Sequence, residues 1–205
     1  MPRFTSISLI QFRNYFAQHI DFTERIVAVT GPNGCGKTNL LDAVYYLCFT
    51  KSYFSKPDAQ SVFTGEQGFR LEGKMNAANA FHSLVCVLRE NGRKEFYADN
   101  ELYKKFSTHI GRYPCVMIAP DDVQMITGAS ELRRSFVDTI LCQLSPSYMH
   151  DSISYKKILE QRNSFLKAAA EKNSYDISLL DVLDKQLLEK GENIFSKREA
   201  FLKNF

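Results

Sequence analysis

Apolar and polar positions change rhythm along this chain. Phe4 to Phe12 is rich in strand formers, His19 to Phe22 reads as a short strand, and Ile26 to Thr30 as a buried one. From Lys37 to about Leu47 the spacing of Leu40, Leu41, Val44 and Leu47 is helical. Residues 51–68 are loop-like around Pro57 and Gly65. Strands follow over Phe69 to Met75, Phe81 to Glu90 and Arg93 to Ala98. Asn91-Gly92 joins the last two as a hairpin, because both residues tolerate the positive φ of such a turn. Cys115 to Ala119 completes the strand set.

After Pro120 the strand rhythm stops. From Ser130 onward the pattern is helical, with Ser145-Pro146 placed as a helix cap and first residue. Ile158, Leu159, Phe165 and Leu166 then mark one apolar face. The expected organisation is an α/β part over 1–120 and a helical part over 121–205, without internal repeats.

Composition narrows this picture. With 205 residues, 44% apolar and 24% charged, the chain has room for one large domain or two small ones. No run reaches the roughly 18 apolar residues of a membrane span, and the first residues lack an export signal, so a cytoplasmic protein with no membrane partner is expected. The five cysteines have no metal-like spacing; Cys48, Cys86, Cys115 and Cys142 sit in apolar runs and read as reduced thiols. A net charge of +3 permits contact with nucleic acid without arguing for it.

The chemistry is concentrated in GPNGCGKT, residues 31–38, which satisfies the phosphate-binding pattern Gly-x4-Gly-Lys-Ser/Thr in full. Gly31, Gly34 and Gly36 free the backbone to curl, aiming N–H groups inward around Pro32, Asn33 and Cys35. Lys37 supplies a point charge for the β- and γ-phosphates of ATP, Thr38 a hydroxyl for Mg²⁺, and the helix its positive end. Cys35 reads as a small filler in the loop, or else as an oxidisable thiol.

Hydrolysis needs a second, acidic site, normally an apolar strand running directly into Asp or Asp-Glu. CVMIAPDD, residues 115–122, imitates one. Pro120 stands between strand and acid, so Asp121 and Asp122 read better as the cap and first turn of a short helix, DDVQMIT. No later stretch offers a better acid, and no LSGGQ-like motif is present. The chain is therefore expected to grip nucleotide and to carry no catalytic residue for cleaving it.

Several collinear stretches together resemble the RecF family: LIQFRNY (9–15), GPNGCGKTNLLDAVYYL (31–47), KSYFSKPD (51–58), IAPDDVQMITGASELRRSFVDTIL (118–141) and PSYMHDSISYKKILEQRNSFLK (146–167). The resemblance implies a P-loop NTPase with an ABC-ATPase-like head lobe, followed by a helical domain. The signature motif and Walker B of such proteins lie in a C-terminal part. These residues would then be an N-terminal fragment, and SKREAFLKNF stops in mid-helix without a cap. Weak ATPase activity would belong to the full-length dimer. One departure is Phe54, which stands where an S-F-R loop carries arginine.

The resemblance further implies that Arg13 and Asn14 lie near the nucleotide, although Arg13 also reads as a surface arginine at a strand end. It implies an ATP-dependent homodimer that binds DNA at single-strand gaps and on duplex. Partners would be RecR/RecO-type mediators, with RecA loaded as the outcome, in DNA repair, DNA replication and the SOS response. Arg133, Arg134, Lys156 and Lys157 are the candidate DNA contacts. The alternatives are a mixed-charge solvated face, given Glu131, Glu160 and Glu171, and for the arginines ion pairs at the domain junction. A P-loop small-molecule or nucleoside kinase is the competing function, with CVMIAPDD as its acid and the helical tail as a lid.

Overall fold

The structure, a computed structural model, describes residues 2–54, 57–77, 80–172 and 177–204. Contacts divide the chain into two units, Met1–Ile118 and Ala119–Phe205. Ser55 and Lys56 of the expected loop and Phe205 of the final stretch lie outside the described residues.

The first unit contains β1 (Arg3–Phe12), β2 (Tyr15–Asp21), α1 (Lys37–Phe49), β3 (Phe69–Ala77), β4 (Ala80–Leu88), β5 (Lys94–Ala98) and β6 (Glu101–Leu102). The strands form one sheet in the order β2-β1-β3-β4-β5-β6, with every neighbouring pair antiparallel. Alternation explains its two faces. Phe69, Leu71, Gly73 and Met75 of β3 are buried, and the residues between them are not. Leu71 pairs with Leu9 and Cys86, and Gly73 with Ile7 and Leu84, so one apolar face is continuous across three strands.

Helix α1 lies on that face through Leu40, Ala43, Tyr46 and Leu47. Gly73 permits the close approach: a Cβ there would stand 2.5 Å from the Phe4 ring and 2.7 Å from the Leu47 methyl. Phe12, Tyr46 and Phe69 meet edge to face. Burying each such side chain contributes about 1.5–3 kcal/mol. Leu41, expected on the apolar face, is instead half-exposed, and Asp42 takes a buried position.

Three expectations need correction. The short strand at His19–Phe22 is a longer one, β2, which pairs with β1 from Tyr15 onward (Phe12 opposite Tyr15). The expected strands Ile26–Thr30 and Cys115–Ala119 do not form. Cys115 and Met117 pack on the core while Val116 and Ile118 are 75% and 81% exposed, the two-sided pattern of an extended chain. Apolar β-branched residues favour such a conformation, but a strand also needs a neighbour's hydrogen bonds. Among the described residues no strand lies beside either segment.

The second unit contains α2 (Gln124–Thr127), α3 (Ser130–Leu144), α4 (Pro146–Lys172) and α5 (Ile177–Lys203). The Ser145 hydroxyl accepts from the Tyr148 N–H at 3.2 Å, which makes Ser145 the cap of α4 and Pro146 its first residue. Leu141, Tyr148 and Ile194 form the buried cluster, with Val137, Cys142, Tyr155 and Phe201 against it. At its polar side Arg198 donates to both carboxylate oxygens of Asp138 at 2.7 Å, and the Tyr148 hydroxyl donates to the same group. No described helix is long and apolar enough to cross a membrane.

Candidate nucleotide-binding site

Helix α1 starts at Lys37 on a left-handed Gly36 (φ 101°), with no side-chain cap and no acidic residue in its first turn. The first N–H groups of a helix have no partner inside it. Here they add to the positive end of the helix dipole, where an anion is favoured. Gly31 and Gly34 also have positive φ, 146° and 82°, so the chain before the helix curls as the glycine spacing requires.

The turn between β1 and β2 is seated on this loop. A Cβ on Gly36 would fall 2.6 Å from the Asn14 carboxamide and displace it, and the φ of 101° itself favours glycine. Asn39 donates to the Asn14 carboxamide oxygen at 2.8 Å, and the Tyr15 hydroxyl donates to the Gly36 carbonyl at 3.1 Å. Asn14 therefore stands beside the loop, while residues 31–35 and Thr38 are exposed. The Lys37 ammonium folds over the loop, donating to the carbonyls of Gly31 and Pro32 at 2.9 and 2.7 Å. Cys35 is an exposed free thiol; Cys48 and Cys86 are buried, and Cys115 and Cys142 half-buried.

This set fits a polyphosphate: an uncapped helix start, an ammonium, and no carboxylate in the first turn to repel the charge. For a metal the set is smaller. Thr38 offers one hydroxyl, and no group of three His, Cys, Asp or Glu among the described residues is arranged to hold an ion. A single hydroxyl suits Mg²⁺, which takes few protein ligands when phosphates supply the others.

Arg13 is placed differently from Asn14. Its guanidinium donates to the Asp42 carboxylate at 2.7 Å and to the Ser52 hydroxyl at 2.8 Å. Asp42 is fully buried and also accepts from Ser52 and from the Tyr53 N–H. The cluster ties the end of β1, the phosphate-loop helix and the chain after it into one polar knot. Phe54 packs edge to face on Tyr53.

Two further residues secure the far end of α1. Lys94 donates to the Thr50 carbonyl and to Asp58 at 2.8 and 2.7 Å. His109, fully buried among Phe96, Tyr103 and Tyr113, lies 2.7 Å from the Leu47 carbonyl through Nε2. A carbonyl only accepts, so Nε2 carries the proton. Burial brings the His109 pKa down to about 4. Sequence reading passes over Asp42, Lys94 and His109 because their partners are distant in the chain and follow no motif.

In the second unit, Asp122 accepts from the Ala119 N–H at 2.6 Å, and its own N–H bonds back to the Ala119 carbonyl across a short 3-10 turn, Pro120–Val123. Pro120 opens the turn and Asp121 and Asp122 lie in its first turn as read, but the residue before it is Ala119, so Asp121 is not the cap. Arg133 donates to the carbonyls of Met125 and Gly128, and Arg134 to the Ser130 hydroxyl. Lys156 and Lys157 are exposed on α4.

A family model described as AAA domain matches residues 6–204. The DNA replication and repair protein RecF of Flavobacterium johnsoniae is 38% identical over 199 residues, covering 97% of this chain and 55% of the relative. That of Cytophaga hutchinsonii is 39% identical over 197 residues, covering 96% and 52%. A solved structure of the recombination mediator protein RecF with ATP superimposes at a TM-score of 0.93 with 27% identity, covering 98% of this chain and 54% of that one. An Smc head domain from Pyrococcus furiosus, at 17% identity and a TM-score of 0.55, shares the fold. The chain spans about half the length of the curated relatives it matches.

Proposed function

This chain belongs to the RecF family of AAA-domain proteins, and on that premise we propose that it is the ATP-gripping portion of a DNA-binding protein of recombinational repair and replication. The observation that carries the reading is the uncapped start of α1, with Lys37 folded over a loop of positive-φ glycines. Bound ATP would bring a triphosphate whose charge the loop N–H groups and Lys37 neutralise, with Mg²⁺ reached by Thr38. To engage phosphate, the Lys37 ammonium exchanges the Gly31 and Pro32 carbonyls for phosphate oxygens. Asn14 stays against Gly36 and fixes the rim. Arg13 acts from behind, through Asp42, by holding α1 in place.

Cleavage of the terminal phosphate needs an acid to order metal and water. Asp122 is engaged with its own turn, so turnover is proposed to require residues beyond those described. The whole protein would act as an ATP-dependent homodimer on DNA at single-strand gaps, with RecR/RecO-type mediators, to promote RecA loading. Lys156 and Lys157 are proposed as phosphate contacts, with Arg133 and Arg134 secondary because each already holds local polar groups.

Titration of ATP against the chain and its Lys37→Ala variant tests the reading. Loss of one charge-assisted contact is expected to weaken binding about tenfold or more. Equal affinity of the two would overturn the nucleotide site, and rapid hydrolysis by the chain alone would overturn the division between gripping and cleavage.

A further inference from the structure

The two ends of the first unit's sheet are different. Arg13 and Asn14 follow β1 at the end that carries the phosphate loop; Thr5, at its other end, is eight residues back, roughly 25 Å along an extended strand. There a cavity of about 530 Å³ opens between β1, β3, β4 and the turn after β5. That size lies within the range of about 300–1,000 Å³ that accommodates small ligands. Lys74, Phe81 and Asn100 line it, together with Thr5 and His82.

Register sets the geometry. Lys74 is paired with Ser83 and Phe81 with Asn76, so Lys74 and Phe81 are diagonal neighbours on one face. Such positions are about 7–8 Å apart. Phe81 is 81% exposed, and its ring has no aromatic partner among the described residues. By contrast, the other exposed phenylalanines among the first unit's described residues, Phe16 and Phe54, each rest edge to face on a neighbour, Phe63 and Tyr53. The Lys74 ammonium likewise has no ion-pair partner among the described residues. The cavity's carboxylate, Asp99, is already committed: it meets His82 Nδ1 at 2.8 Å and accepts from the Ser83 N–H at 2.9 Å. What remains open is an aromatic face beside an unopposed cation.

We propose that this end of the sheet is a contact for one nucleotide of a single-stranded nucleic acid, with the base stacked on Phe81 and the phosphate on Lys74. The pairing matches how single strands are held without sequence preference, by rings under the bases and cations along the backbone. A duplex hides its base faces and gains nothing from Phe81. The proposal rests on the nucleic-acid reading above and adds a place and a strand preference to it.

Anisotropy titrations of labelled single-stranded and duplex oligonucleotides across a salt series test it, using the chain and its Phe81→Ala, Phe81→Tyr and Lys74→Ala variants. Phe81→Ala is expected to lose about tenfold in single-strand affinity, with duplex affinity unchanged and Phe81→Tyr close to the parent. Lys74→Ala is expected to weaken single-strand binding and to flatten its log–log salt dependence by about 0.7. If the parent chain binds single strands and both alanine variants bind them equally well, this site is overturned and the nucleic-acid reading stands. If the parent chain binds neither oligonucleotide, both are overturned.

Discussion

The first unit closes on apolar contacts that run without a break from Ile7 and Leu9 through Tyr46 and Leu71 to Phe96, with α1 pressed onto the sheet at Gly73. Among the described residues of the second unit, the buried apolar cluster is Leu141, Tyr148 and Ile194, and its polar side is the Asp138–Tyr148–Arg198 knot. Each unit therefore has an acid bonded to an arginine at the edge of its core, fully buried Asp42 with Arg13 and half-buried Asp138 with Arg198. In the first unit that pair lies beside a large core. In the second it closes the polar side of a buried cluster of only three residues among those described. The same chemistry is thus an accessory in one place and a framework in the other.

Removing the acids sharpens that difference and should give the largest effects. Asp42→Ala leaves Arg13 without its buried partner, a change that costs about 3–5 kcal/mol, and Asp138→Ala leaves both Arg198 and the Tyr148 hydroxyl without theirs. Chemical denaturation followed by far-ultraviolet circular dichroism checks the magnitude. Asp138→Ala should abolish the cooperative melting of the helical unit, because the Tyr148 hydroxyl loses its acceptor as well. Asp42→Ala should lower the unfolding midpoint of the sheet unit while leaving one cooperative transition. If the outcomes were reversed, the assignment of framework and accessory would be wrong.

The next effect belongs to the first unit alone. His109 is held neutral, with its folded pKa lowered by burial to about 4 from the ordinary imidazole value of about 6.5. Below about pH 6.5 the unfolded chain binds a proton that the folded one refuses, so stability is lost as pH falls and the loss levels off near pH 4. The full change is on the order of 3 kcal/mol. Carboxylates titrate in the lower part of that window, so the measure is the difference between the parent chain and His109→Gln, whose side chain cannot take up the proton. The parent should lose stability relative to the variant between pH 6.5 and 4. A constant difference across that range would show that His109 is as easily protonated in the folded chain as in the unfolded.

The two units also differ in how far the sequence reveals them. The phosphate loop is legible because its glycines, lysine and threonine stand at fixed spacing, β3 because burial alternates along it, and the β4–β5 hairpin because Asn91-Gly92 marks its turn. The Ser145-Pro146 helix start is equally local. Ile26–Thr30 and Cys115–Ala119 mislead for the opposite reason: their composition suits a strand, yet strand formation depends on a neighbour that composition does not supply. Asp42 hides in a helical stretch where a single acid reads as solvent-facing, and it becomes recognisable only when Arg13 and Ser52 converge on it. His109 and Lys94 are missed in the same way, since α1 is their common partner and lies more than forty residues earlier.

The smallest expected effect concerns the outer face of the second unit, where the contrast with its interior is greatest. Lys156 and Lys157 are exposed and far from the knot in character: neither fills space nor neutralises a buried group. Replacing either with alanine should change stability by no more than about 0.5 kcal/mol, as surface changes generally do. If these lysines meet phosphates, each replacement should still weaken duplex binding and flatten the log–log salt dependence by about 0.9, because one fewer counterion is released. Duplex titrations at several salt concentrations read both quantities. Equal slopes for parent and variants would return this face to solvent, where Glu160 beside the lysines offsets their charge. A reduced slope with unchanged stability would separate binding from folding within a single helix, α4, whose buried Tyr148 serves one and whose exposed lysines serve the other.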